Sequence, residues 1–221
     1  LFALPRSAWA DYDKSRLSKG GGVFERGAKS IPISAEMKRR FGIDKDSLSP
    51  VNLMRVLLGA DCDFLYFGGI GTYVKSSDER HAEVGDRAND AIRIDGRDIR
   101  AKVIAEGANL GMTQRGRVEY ARLGAGGKGG RLNTDAIDNS AGVDCSDHEV
   151  NIKILLSGPV GDGALTLEAR NALLAEMTDD VGRLVLRDNY LQTACLICMA
   201  IRSTAIRSAR AIRSRRPAIR G

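Results

Sequence analysis

The chain has 221 residues, of which 43% are apolar and 28% charged, enough to bury a core and ordinary for a water-facing protein. Its net charge of +6 sits at one end: the seven arginines of residues 201–221 leave 27 basic against 28 acidic groups before them, net −1, so the body carries no polyanion signature. Four scattered cysteines, Cys62, Cys145, Cys195 and Cys198, argue against a disulfide framework and for a reduced, cytoplasmic setting, and no apolar run is seen to approach the ~20 residues that span a bilayer.

Residues 1–49 mix Trp9, Tyr12 and the run Gly20-Gly21-Gly22 without sustained periodicity, which predicts loop and a short helix. Ser49-Pro50 is an N-cap followed by proline at the first helical position. Val51, Met54 and Leu58 then make an apolar stripe, and Gly59 supplies the stop. Phe64-Leu65-Tyr66-Phe67 is a continuous apolar run, the pattern of a strand buried on both faces. Residues 77–92 read as a helix with Asp78 and Glu79 in its first turn and Val84, Ala88, Ala91 and Ile92 on its apolar face. Asp95-Gly96 marks a turn, residues 101–105 a second short strand, and residues 131–137 a third. Thr166 and Thr178 are positioned to cap two amphipathic helices that reach to about residue 192.

Short buried strands alternating with helices predict an α/β domain with a parallel sheet, whose ligands sit at the carboxyl ends of the strands. FGGIG, EGANLG and DNSAG each fall at or just beyond such an end. Residues 131–150 crowd amide, hydroxyl and acidic groups around only Leu132, Ile137, Val143 and Val150. Polar groups removed from water need partners, so this stretch reads as the lining of a site. Asn109 and Asn139 follow candidate strands in small-residue turns, where a carboxamide or ribose contact is expected of them. Ser146 is expected to face a ligand carboxylate, and His148 to be structural or to support a ligand contact from behind rather than to catalyse. The cluster Asp144, Cys145, His148 and Glu149 lacks metal-ligand spacing, and GAGGKGG lacks the Ser or Thr that a phosphate loop needs after its lysine.

The tail repeats Ala-Ile-Arg from Ala200, Ala205, Ala211 and Ala218 at uneven spacing. That is the texture of disordered low-complexity sequence, and it suggests a shifted reading frame through repetitive codons. Because the chain opens at Leu1 inside a polar–apolar pattern, it is expected to be a piece of something longer.

VIAEGANLGMTQRGRVEYA and NTDAIDNSAGVDCSDHEVNIKILL, together with LFALPRSAWADYDKSRLSKGGGVF, CDFLYFGGIGTYVKSS and LRDNYLQT, resemble the catalytic region of the large bacterial NAD-specific glutamate dehydrogenases. The likeness covers residues 1–193. It implies a partial Rossmann-like dinucleotide-binding domain, the C-terminal part of a parallel sheet with flanking helices. Residues 1–49 would lead in, residues 50–193 would form the NAD-binding part with its following helices, and residues 194–221 would be an atypical basic tail. By the same resemblance Asn109 and Asn139 would contact the nicotinamide–ribose end of NAD, and Ser146 would help hold the glutamate side-chain carboxylate. The reaction implied is oxidative deamination of L-glutamate to 2-oxoglutarate and ammonia, in a parent enzyme expected to be a homo-oligomer. No lysine here sits in a motif matching the family's catalytic one, so no catalytic residue carries over, no metal site is expected, and the chain alone is expected to be inactive and poorly soluble. A non-enzymatic nucleotide-binding or assembly module, and a basic-tailed nucleic-acid binder, stay open as rivals.

Overall fold

Short, locally signalled elements build the first of two units, Leu1–Asp135; the second is Ala136–Gly221. The computed structural model describes residues 6–107 and 109–214. Single turns of 3-10 helix at Trp9–Asp11 and Lys14–Arg16 precede strand β1 (Ile31–Pro32), helix α1 (Ala35–Phe41) and strand β2 (Ser47–Leu48), with β1 and β2 antiparallel. Ser34 caps α1 through the Met37 amide at 3.1 Å. Helix α2 (Pro50–Leu58) has the expected ends: Ser49 Oγ accepts from the Asn52 amide, Pro50 opens the helix and Gly59 closes it. Its buried stripe is centred on Leu53 rather than on the half-buried Val51, Met54 and Leu58. The reason is that Leu53 faces Ile31, Ile33 and Ile43 in a small core that the first 49 residues supply.

The larger core is layered on two parallel pairs. Strand β3 (Phe64–Phe67) pairs with β6 (Val103–Glu106), and β4 (Val74–Lys75) pairs with β5 (Ile94–Asp95). Phe67, Val74, Ile94, Ile99, Ala101, Ile104, Met112 and Tyr120 pack together beneath them. The expectation that the run 64–67 is buried on both faces is corrected: Phe64 and Tyr66 are more than half exposed, while Phe67 is 5% exposed. Side chains alternate across a strand, and in the described residues this sheet is covered on one face.

The helix expected over residues 77–92 is replaced by α3 (His81–Val84) and a 3-10 turn at Arg87–Asn89. Gly85, at φ 77°, ends α3, and tertiary partners claim the polar residues that would have continued it. Glu79 accepts from the Ser76 amide at 2.8 Å and the Thr113 hydroxyl at 2.6 Å. Asp86 accepts from the Thr72 amide at 2.8 Å and Asn89 Nδ2 at 2.7 Å. Of the expected stripe, only Ile92 is buried.

After β5 the chain makes a 3-10 turn (Gly96–Asp98) that lies against helix α4 (Gln114–Gly127). Thr113 caps α4 through the Gly116 amide at 2.9 Å. Regular helix ends where Gly124, Ala125 and Gly126 leave helical geometry, so the glycine run serves as a helix terminator. Tyr120 is fully buried, its hydroxyl donating to the Ala101 carbonyl at 2.9 Å, and desolvation pushes its phenol up to about 12.

The third strand expected over residues 131–137 does not form. Arg131 makes a single parallel bridge to Val103, and by Asp135 the chain is helical in α5 (Asp135–Asp138). Leu132 is the residue here that packs on the core, and the Asp135 carboxylate is drawn to Arg117 at 2.9 Å.

The second unit is helical: α6 (Ser140–Gly161), α7 (Leu167–Glu176) and α8 (Thr178–Ser214). Thr166 caps α7 through the Ala169 amide at 3.1 Å, as expected. Thr178 instead donates back to the Leu174 carbonyl at 3.4 Å. Nor are these helices cleanly amphipathic: Val185 is 4% exposed, but Leu155, Leu186 and Tyr190 are each more than 70% exposed. Helix α8 does not stop near residue 192 but runs on to Ser214, so the tail is helical that far rather than disordered. The rest of the tail, residues 215–221, lies outside the described residues. Within Thr178–Thr204 an 18-residue window reaches mean hydropathy 1.2, so this helix is long and apolar enough to cross a membrane by length and composition alone, although it holds no unbroken apolar run of ~20 residues.

Candidate functional site

The parallel register of β3 and β6 matches Phe64 with Val103 and Phe67 with Glu106, so both strands end at the same level. The two turns that follow, residues 68–71 and 107–111, therefore leave one sheet edge side by side. Bonds tie the second turn to the residues that flank the first. The Gly107 amide donates to the Phe67 carbonyl at 2.9 Å, Thr72 Oγ1 to the Leu110 carbonyl at 2.7 Å, and the Tyr73 amide to the Gly111 carbonyl at 2.9 Å. A Cβ on Gly107 would fall 1.7 Å from the hydroxyl of the exposed Tyr66, which would have to swing aside. Asn109 stands exposed in this turn, and Leu110 holds φ 56°, a left-handed conformation uncommon outside glycine.

Two buried arginines hold these turns from below. Arg93, with a fully buried side chain, donates to the Thr72 carbonyl at 2.8 Å, the Asp86 carbonyl at 2.6 Å and the Asp90 carboxylate at 2.5 Å. It also lies 2.9 Å from His81 Nδ1. Because a guanidinium can only donate, that nitrogen is the acceptor. Arg117 makes a two-pronged contact with Glu106, Nε to Oε1 at 2.8 Å and Nη2 to Oε2 at 2.9 Å. Its Nη2 also reaches Asp135 Oδ1 at 2.9 Å, and Asp135 Oδ2 accepts from the Leu110 amide at 2.8 Å. Desolvation acts against the Arg117 charge, but Glu106 and Asp135 outweigh it and leave its pKa raised.

Beside the first turn lies an apolar cleft of about 310 Å³, lined by Met54, Leu57, Leu65, Tyr66, Gly68, Gly69 and Tyr73 among others. The Phe67 and Tyr73 rings stack at its side, 5.8 Å apart. Flat aromatic walls beside glycine backbone suit a planar ring. Among the described residues no group of three or more His, Cys, Asp or Glu side chains gathers as a metal would require.

Sequence comparisons add the family to this geometry. Residues 1–199 fit the model of the bacterial NAD-glutamate dehydrogenase catalytic domain. The chain belongs to this family. It is 61% identical over 196 residues to an NAD-specific glutamate dehydrogenase of Pseudomonas aeruginosa and 58% identical over 196 residues to one of Halomonas elongata, covering 89% of this chain in each case. With that of Mycobacterium tuberculosis it shares 53% over 195 residues, 86% of this chain. The chain spans 12% of the length of each of these relatives.

In this chain the residues singled out from sequence fall in different units: Asn109 in the first, Asn139 and Ser146 in the second. Residues 140–150, read from sequence as part of a site lining, are the opening three turns of α6. Asn139 is half-buried just before that helix, and Ser146 is exposed on it. Part of the polar crowding has a structural use. Ser140 donates to Asn189 at 3.3 Å, Asn189 to Asp144 at 3.4 Å, and His148 meets Asp188 at 3.3 Å, a polar seam between α6 and α8. His148 takes part in this seam through Asp188. Missed from sequence were Arg93, Glu106, Arg117 and Asp135. The available signal was a charged residue, Glu106, closing an otherwise apolar strand inside the EGAN motif itself.

Proposed function

We propose that the chain forms the nicotinamide-facing, C-terminal part of a Rossmann-like domain in an NAD-dependent glutamate dehydrogenase, which oxidatively deaminates L-glutamate to 2-oxoglutarate and ammonia. The observation that carries this reading is the pair of parallel strands ending level, with a glycine turn and the Asn109 turn side by side at their carboxyl edge. In parallel α/β sheets that edge is where dinucleotides lie. NAD, when bound, supplies the hydride acceptor, and the protein's task is orientation. The Asn109 amide, which both donates and accepts, can hold the ring carboxamide. The apolar cleft excludes water from one side of the ring. Asn139 takes a second contact at the nicotinamide–ribose end, and Ser146 helps hold the substrate's side-chain carboxylate. The whole enzyme acts in the cytoplasm as a homo-oligomer.

Two measurements test this. In a full-length family enzyme whose catalytic region carries this sequence, Asn109→Ala should raise KM for NAD about tenfold while KM for glutamate changes little; an unchanged KM for NAD would remove Asn109 from the site. The purified 221-residue chain, mixed with NAD and glutamate, should produce no NADH, because no lysine here lies in a motif matching the family's catalytic one. Glutamate-dependent NADH formation would show that the chain holds catalytic groups not recognised here.

A further inference from the structure

A single guanidinium shared by two carboxylates brackets the turn that carries Asn109. Glu106 is the last residue of β6, immediately before the turn, and is 0% exposed. Asp135, which follows α4 in the chain, is 13% exposed at its side chain and reaches back to the turn through the Leu110 amide. Arg117 joins the two from α4 with its own side chain 5% exposed. The fork fixes distance and plane at once, which an ammonium cannot do. Leu110 meanwhile keeps a left-handed backbone, φ 56°, without being glycine. Such a conformation persists only where surroundings over-determine it. Here the surroundings are Asp135 on its amide and Thr72 on its carbonyl.

Arg117 thus spends its fork on Glu106 and a further contact on Asp135, tying both ends of the cluster to one rigid plane. The side chains beneath the turn are buried while Asn109 above them is exposed. The cluster therefore acts as a rigid base for a displayed residue.

We propose that Arg117 is a positioning residue for the cofactor: through Glu106 and Asp135 it sets the height and angle of the turn that presents Asn109. This rests on the reading of Asn109 as a cofactor contact. Arg117 touches no reacting atom, so its loss should weaken NAD recognition and leave glutamate recognition alone.

The test uses the full-length enzyme carrying this sequence, with Arg117→Lys, which keeps the charge and removes the fork. KM for NAD should rise about tenfold, KM for glutamate should stay within about twofold, and hydrogen exchange should quicken in the peptide containing Leu110. Equal rises in both KM values would mean general loosening and would overturn the proposal. So would faster exchange at Leu110 with an unchanged KM for NAD. If Arg117→Lys fails to fold, Asp135→Asn decides. It removes one charge of the cluster and should raise KM for NAD selectively by about threefold; no rise refutes the positioning role. An unmodified enzyme that turns over glutamate without NAD dependence would instead defeat the functional reading beneath it, a separate failure visible before any variant is made.

Discussion

Replacing Arg117 with methionine is expected to cost about 3–5 kcal/mol, because it strands carboxylates in a site closed to water. Glu106 is 0% exposed and receives both prongs of the arginine fork, at 2.8 and 2.9 Å. With the guanidinium gone, Glu106 must either stay charged without its counter-ion or take up a proton, and both are costly. Asp135 loses the same partner but its side chain is 13% exposed, so the larger share of the loss falls on the fully buried Glu106. Native-state hydrogen exchange at the Ile104 amide, in the middle of β6, reads this as a fall in local opening free energy. The double variant Arg117→Met with Glu106→Leu should recover most of the loss, since a well-packed apolar pair replaces a buried ion pair at little net cost. A single-variant cost below about 1 kcal/mol would mean that water reaches the pair.

The second large effect is expected at Gly96, for steric rather than electrostatic reasons. Here the 3-10 turn after β5 touches the backbone of α4. A Cβ on residue 96 would sit 2.5 Å from the Gly116 carbonyl oxygen and 3.0 Å from the Tyr120 amide nitrogen. Main-chain atoms of a helix cannot swing aside as a side-chain tip can. Gly96→Ala should therefore push α4 outward at a cost of about 1–3 kcal/mol. The same movement would carry Arg117, Glu119 and Tyr120 with it. Glu119 accepts from the Ser77 amide at 3.1 Å and the Arg97 amide at 3.2 Å, so those contacts would open as well. Faster exchange along α4, with β1 and β2 unaffected, is the expected result. An unchanged exchange pattern would show that the turn and helix stand further apart than these distances state.

The contrast between Gly96 and Gly107 shows how glycine serves two purposes in this unit. At Gly107 the would-be Cβ meets the tip of an exposed tyrosine, which can move. At Gly96 it meets fixed backbone. The first glycine shapes the surface of the candidate site, and the second sets how closely the helix beneath it can approach.

What the sequence determined by itself was whatever depends on neighbouring residues or on long unbroken motifs. The ends of α2 follow from Ser49, Pro50 and Gly59, the Thr166 cap from one hydroxyl three residues from its amide, and β3 from four consecutive apolar residues. Family membership was legible in the same way, because EGANLG and its flanking residues survive as contiguous text. Tertiary structure alone decided the rest. Residues 77–92 alternate well enough for a long helix, yet Thr72 and Thr113, distant in sequence, bind Asp86 and Glu79. Residues 131–137 form no strand: the chain leaves Val103 after a single bridge at Arg131, and Asp135 pairs with Arg117 instead. The polar crowd from Ser140 to His148 became helix once Asp188 and Asn189 offered partners across the unit. The arginine clamp was illegible for the same reason: Glu106, Arg117 and Asp135 stand 11 and 18 residues apart in sequence. Only folding brings their charges within hydrogen-bond reach, where burial makes each depend on the others.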